Sequence, residues 1–344
     1  MINNRRFIAE WEPQSAIMIA WPHDKTDWAY MLDEVEQCYI NVANTILKYE
    51  NLIILTNRPE HVDSLITKSD KHKVVYLDIT TNDTWCRDFG AISIMEGENT
   101  AVCNYKFNAW GNKFNWELDN QVTSKMHQIG TFQCKMIDCS DFILEGGSIE
   151  TDGNGTLLVT SQCLLTPTRN PHMGKQEIEA YLCDTLGVNK VLWLDYGAFI
   201  GDDTDSHIDT LARIAPNNSI VYAGCEDTED GHYSELKRME EQLQTFTNVN
   251  NDKFNLYKLP FPQAIYDEEG ERLPATYANY LIVNGAVLVP TYNQPENDKK
   301  AINIIQQVFP NHEIVGIDCN ALIKQHGSLH CITMQFPINI FKNL

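Results

Sequence analysis

Apolar and polar runs recur along this chain in one order, five times over. V-V-Y-L-D-I is followed by T-W-C-R-D-F-G, A-I-S-I-M, the turn E-G-E-N and T-A-V-C-N-Y. C-K-M-I-D-C is followed by D-F-I-L-E-G-G, S-I-E-T, D-G-N-G and T-L-L-V-T. V-L-W-L-D-Y leads to D-D-T-D-S-H-I-D, T-L-A-R-I, A-P-N-N and S-I-V-Y-A; L-Y-K-L-P-F leads to P-A-T-Y-A-N-Y, L-I-V, N-G and A-V-L-V-P. The last unit, I-V-G-I-D-C, Q-H-G-S-L-H-C and I-T-M-Q-F, stops after its middle strand. Each unit reads as strand, polar loop, strand, turn, strand, with Gly/Asn/Asp turns of the kind hairpins need. Helical spacing predicts helices over about 30–49, after Pro171 up to Gly187, over about 233–246 and over 295–308.

One polar residue stands just before each middle strand: Asp88, Glu145, His207, Asn279 and Cys331. Their positions differ by 57, 62, 72 and 52 residues. A repeat of that period means a ring or a solenoid. The strand missing from the fifth unit is supplied by S-A-I-M-I-A-W, residues 15–21, which closes the ring and removes exposed edges. No boundary or linker divides the chain, so one unit over 1–344 is expected. Equivalent loops of a ring converge on its axis, which brings Asp88, Glu145, His207 and Cys331 to one pocket.

Composition limits what that pocket serves. The 344 residues are 43% hydrophobic and 21% charged, which is globular and large enough for a core without staples. The net charge of −21 argues against nucleic acid and anionic membrane as partners and is compatible with a cationic ligand. The ten cysteines form no C-x-x-C pair or zinc spacing, and most sit in apolar runs. No apolar leader opens the chain and no run is long enough for a membrane helix, so a cytoplasmic protein is expected.

A thiolate needs a nearby base or cation; His207 can supply it and shuttle protons, and Glu145 can orient His207. Asp88 and Asp209 would repel an anion and suit a guanidinium, whose N–H groups match carboxylates and whose carbon would lie open to Cys331. Two rival readings remain at this point. His207, Asp209, Asp202 and Asp203 could hold a divalent ion. A ring that only binds partners would need none of the Cys/His/Glu set.

The joint pattern resembles the agmatine deiminase family of the guanidine-modifying (pentein) superfamily. The resemblance rests on E-W-E-P at 10–13, W-x-R-D-x-G at 85–90, E-G-G at 145–147, D-D-T-x-x-H-I-D at 202–209, P-A-x-Y-x-N at 274–279 and H-C-I-T at 330–333. It implies a five-bladed α/β propeller that hydrolyses agmatine to N-carbamoylputrescine and ammonia in putrescine and polyamine biosynthesis, with no metal or cofactor. Cys331 would be the nucleophile, His207 the acid/base and Glu145 its partner. Asp88 and Asp209 would bind the guanidinium, Trp85 would flank it, and Asp203 is expected to meet the substrate amine. The chain departs from the family at Gly327-Ser328-Leu329, usually Gly-Gly-Asn, and at Ser206, usually Gly. Bacterial peptidylarginine deiminases share much of the pattern. Free arginine deiminases need a cation for the substrate carboxylate, for which Arg87 and Arg213 are near. A homo-oligomer is compatible with the sequence.

Overall fold

The structure is a computed structural model and describes residues 4–342. The unit expected over 1–344 therefore runs past the described residues at both ends. The described strands are β1 (Arg5–Phe7), β2 (Gln14–Ala20), β3 (Asn51–Leu55), β4 (Val74–Leu77), β5 (Ile92–Glu96), β6 (Asn99–Lys106), β7 (Lys135–Ile143), β8 (Ile149–Thr151) and β9 (Thr156–Thr160). They continue with β10 (Lys190–Leu194), β11 (Ala212–Ala215), β12 (Ser219–Ala223), β13 (Asn255–Leu259), β14 (Leu281–Val283), β15 (Ala286–Thr291), β16 (Glu313–Asp318) and β17 (Thr333–Pro337).

They form five sheets, ordered β1-β5-β6-β7, β8-β9-β10, β11-β12-β13, β14-β15-β16 and β17-β2-β3-β4. Each of the first four holds an antiparallel hairpin whose second strand pairs parallel with the next strand. A parallel pair needs a long crossover, and helices supply it. Lys175–Leu186 joins β9 to β10, Tyr233–Leu243 joins β12 to β13, and Pro295–Val308 joins β15 to β16. In the fifth sheet β17 pairs antiparallel with β2, with Thr333 opposite Ile19 and Phe336 opposite Ala16. β2 then pairs parallel with β3 across the helix Leu32–Ile46. The strand pairing expected between residues 15–21 and 332–336 is present. This is the five-bladed α/β arrangement the repeat called for.

Two expectations change. The leading strand of each sequence unit belongs to the preceding sheet: β4 pairs with β3, and β7 with β6. The polar loop of each unit therefore runs from one sheet to the next, which is what carries all five loops to the centre. The helix after Pro171 begins only at Lys175. Its first turn is closed by the Glu177 carboxylate accepting from Gly174 N at 2.7 Å, so Pro171 lies in the preceding turn. Its expected stop holds, with Gly187 at φ 72.

From Ala16 onward β2 is a continuous apolar run, because both of its edges and both of its faces are covered. Opposite it, Phe336 is fully buried, with ring centroids 6.0 Å from Phe132 and 4.9 Å from Phe341. Phe336→Ala should cost about 3–5 kcal/mol of unfolding free energy, as deletion of a buried aromatic ring does. Urea denaturation showing a loss below about 1 kcal/mol would mean that the pairing of β17 with β2 contributes little to stability.

Candidate active site

The loops that link successive sheets bury their polar residues at one place. Asp88, Glu145, His207, Asn279 and Cys331 are each at most 7% exposed, and Asp209 is fully buried. A single point shows how tightly they are gathered. A Cβ on Gly147 would lie 2.7 Å from His207 Nδ1, 2.8 Å from Asp88 Oδ1 and 3.1 Å from Asp209 Oδ2. Only glycine fits there, which explains the second glycine of E-G-G. Gly147 N also donates to Asp88 Oδ1 at 2.9 Å.

Each acid has a different counter-partner. Asp88 Oδ2 accepts from Trp110 Nε1 at 3.0 Å, and its Oδ1 lies 3.6 Å from His207 Nδ1. Asp209 Oδ2 accepts from His330 Nδ1 at 2.8 Å, while its Oδ1 is buried without a partner. Glu145 Oε1 accepts from Arg169 Nε at 2.9 Å. Glu145, Cys163 and His207 each place one polar atom within 4.8 Å of the others. Glu145 is thus beside His207, as expected, but it is held by Arg169. Asn279 Oδ1 accepts from His330 N at 2.9 Å and Cys331 N at 3.3 Å, and lies 3.4 Å from Cys331 Sγ. It fixes the backbone that presents the sulfur.

Behind this layer stands a buried ion network. Arg213 binds Glu150, donates to Glu10 Oε2 at 2.6 Å and to the carbonyl of Tyr280 at 2.6 Å, and its Nη2 is 3.0 Å from His330 Nε2. The Nδ1–H of His330 donates to Asp209 and its Nε2 lies 2.8 Å from Glu10 Oε2, while burial and the charges of Arg213 and Arg87 lower its pKa. Arg213 is therefore committed to the interior and does not face the cleft.

The cleft itself is lined by Trp85, Asp88, Trp110, Asp203, His326 and Cys331, among others. Asp27 and Asp83 also line it. Gly327 gives Trp85 its place, because a Cβ there would sit 2.2 Å from the indole ring. Ser328, one of the departures from the family pattern, is buried with its hydroxyl 3.0 Å from that of Tyr292. Ser206, the other, holds φ 66, a left-handed conformation that favours glycine. The loop there is locked by Asp202 Oδ2 accepting from Ser206 N at 2.6 Å.

The acidic loop divides its carboxylates among different partners. Asp202 spends its carboxylate on Thr204 and Ser206, and Asp205 pairs with Arg169 and, at 3.0 Å, with Lys113. Of that loop's three aspartates, Asp203 is the one that lines the cleft. The four residues of the divalent-ion reading are likewise not gathered into one ligand set among the described residues.

Electrostatics sort the site. Burial raises the Asp88 carboxyl to about 6, opposed by the charge of His207. Burial alone would lower His207; the charge of Asp88, with Cys163 and Glu145, outweighs it and raises the pKa to about 10. Burial, then the charges of Asp209 and Asp88, push the Cys331 thiol well above its ordinary value. With the cleft empty, Cys331 is a thiol and His207 an imidazolium. Iodoacetamide modification of Cys331, corrected with Cys331→Ser, should still be accelerating at about pH 9. A plateau below about pH 8 would instead reveal a resting thiolate.

The profile of the Porphyromonas-type peptidyl-arginine deiminase family matches residues 6–337. The agmatine deiminase of Pseudomonas syringae pathovar tomato is 32% identical, over 96% of this chain and 94% of that protein. A provisionally named arginine deiminase from Porphyromonas gingivalis superposes with a TM-score of 0.94 at 46% identity, covering 98% of this chain and 100% of that one. A Cys-to-Ser variant of the agmatine deiminase of C. jejuni, with substrate bound, superposes with a TM-score of 0.89 at 38% identity, covering 97% and 96%. With a family match over nearly its whole length, this chain belongs to the Porphyromonas-type peptidyl-arginine deiminase family.

Proposed function

We propose that the protein is an agmatine deiminase, a C–N hydrolase that acts through a covalent adduct on Cys331. The observation that carries this reading is the pair of buried carboxylates, Asp88 and Asp209, whose charges bear on the Cys331 sulfur. Relatives named agmatine deiminase, in sequence and in solved structures, support it.

A guanidinium entering the cleft neutralises Asp88 and Asp209 together, and the unpartnered Asp209 Oδ1 takes one of its N–H groups. Removing those negative charges lowers the thiol pKa, so substrate generates its own nucleophile. The thiolate adds to the guanidinium carbon, and the protonated His207 gives its proton to the departing nitrogen, which leaves as ammonia. The neutral ring then takes a proton from water as the water's oxygen adds to the thiouronium carbon. Collapse breaks the C–S bond as the adduct's hydroxyl gives up its proton to solvent, and yields the ureido product and the free thiolate, with His207 again protonated. Glu145, held by Arg169, keeps negative charge beside His207 and so favours its charged form. These steps call for no metal or cofactor. All five sheets supply a loop to the site, so the chain acts as one catalytic unit.

The far end of the substrate meets an acidic mouth. Asp27, Asp83 and Asp203 line the cleft, whereas Lys113 is tied to Asp205 and to the Asp203 carbonyl. The ammonium of agmatine suits this wall, with Asp203 its proposed contact, and the α-carboxylate of arginine does not. A small cationic guanidino compound, N-carbamoylputrescine as product, a place in putrescine and polyamine biosynthesis and a cytoplasmic location follow from this reading. No helix among the described residues is long and apolar enough to cross a membrane.

In an ammonia-release assay, kcat/KM for agmatine should exceed that for arginine by about a hundredfold, equivalent to about 2.7 kcal/mol. Cys331→Ser should abolish turnover, and Asp203→Asn should raise KM more than it lowers kcat. Equal use of agmatine and arginine would defeat the substrate assignment, and activity confined to a peptidylarginine would give the site to that substrate instead.

The pH profile is a separate check. The Asp88 carboxyl, raised to about 6, gains a proton and loses its charge as pH falls through that value. kcat/KM for agmatine should therefore fall on the acid side near pH 6. A profile flat down to about pH 4.5 would show that Asp88 is not the group that holds the substrate cation.

A further inference from the structure

The two ends of the proposed substrate are served by different loops, and one buried side chain holds those loops together. Arg169 has no exposed side-chain surface. Each of its three guanidinium nitrogens is bonded to a different segment. Nε donates to Glu145 Oε1 at 2.9 Å, Nη1 to the Trp110 carbonyl at 3.1 Å and to the Asp205 carboxylate, and Nη2 to the Thr204 carbonyl at 3.0 Å.

Two of the segments it grips hold left-handed backbone. Ala109, Trp110, Gly111 and Asn112 have φ of 47, 52, 98 and 62, and Asp205 and Ser206 have 65 and 66. For a residue with a Cβ that conformation is costly and persists only where its neighbours impose it. Each segment carries or adjoins a cleft-lining group: Trp110, bonded to Asp88, at the guanidinium end, and Asp203 at the mouth.

Asp203 has no anchor of its own. Its carboxylate accepts no hydrogen bond among the described residues, so its direction follows from its backbone. Asp202 bonds only within the loop, to Thr204 and Ser206, which sets the loop's shape but not its place. Among the described residues, only Arg169 and Lys113 bond residues 203–205 from elsewhere in the chain. The Lys113 side chain is 37% exposed, where water weakens an ion pair, whereas Arg169 makes its tie from the interior.

We propose that Arg169 is a positioning residue for tail recognition: by tying Thr204 and Asp205 to Glu145 and to the Trp110 turn, it fixes Asp203 where the ammonium of agmatine meets it. The inference rests on the deiminase reading and adds to it a residue that does not line the cleft. Lysine cannot take its place, because one nitrogen cannot bond three segments at once. Displacing the guanidinium also frees Glu145 beside His207, which slows the chemistry of every guanidino substrate alike. Tail recognition is therefore isolated by comparing two substrates that share the guanidinium.

The comparison is agmatine against n-butylguanidine, which lacks only the amine, in the ammonia-release assay. The wild-type protein should prefer agmatine by about tenfold or more in kcat/KM, the worth of one charged contact. Arg169→Lys, if folded by circular dichroism, should cut that ratio about fivefold, as Asp203→Asn does, beyond any loss of kcat common to both substrates. If Arg169→Lys is unfolded or too slow to assay, Asp205→Gly decides by the same ratio; it keeps the positive φ and removes the carboxylate that Arg169 holds. An unchanged ratio would reduce Arg169 to a structural role and overturn the proposal while the deiminase reading stands. Equal use of the two substrates by the wild type would remove the Asp203 contact and this inference with it. Ammonia from neither would overturn the deiminase reading and the inference together.

Discussion

The structure is organised around one electrostatic difficulty: three carboxylates, Asp88, Asp209 and Glu145, are withdrawn from water, the first two around a point where even a methyl group does not fit. Buried like charges are tolerated only when each is compensated. His207 does this for Asp88, His330 for Asp209 and Arg169 for Glu145. Arg213 and Arg87, together with Glu10 and Glu150, form a mixed ion network behind them. The compensation of Asp209 is incomplete, since one oxygen stays unpartnered, and that deficit fits a guanidinium.

The same difficulty explains why the thiol is quiet until it is needed. Raising a cysteine's pKa by burial and by nearby acids makes it a poor nucleophile in the free protein. The two acids that suppress it are those proposed to hold the substrate. Occupancy and activation are then one event, and stray electrophiles meet a protonated sulfur.

Much of the ring was legible because strands, hairpin turns and the residue before each middle strand recur at a steady interval. The five polar positions, the closing pair of strands and the helix over 295–308 could be read locally. Sheet membership could not, since whether a strand pairs with the one before it or after it depends on crossovers rather than on its own pattern. Arg169 and Trp110 escaped notice because they belong to no repeat position; they act only through contacts 24 and 22 residues away. His330 and Asn279 stood inside the quoted motifs, yet their roles depend on partners 121 and 52 residues distant. The loop over 202–205 looked uniformly acidic in sequence. The fold spends Asp202 on backbone and Asp205 on cations, and leaves only Asp203 facing outward into the cleft.

The pairing of β17 with β2 also has a bearing on synthesis. β2 leaves the ribosome about 300 residues ahead of β17. Until β17 arrives, β2 presents an open edge, apolar from Ala16 onward, the kind of edge that recruits other chains. Contacts between residues more than 300 positions apart also close slowly. Cys331 lies two residues before β17, so the step that covers this edge also delivers the sulfur to its site. A chain that lacks β17 is thus both inactive and prone to association, and β17 ends both conditions at once.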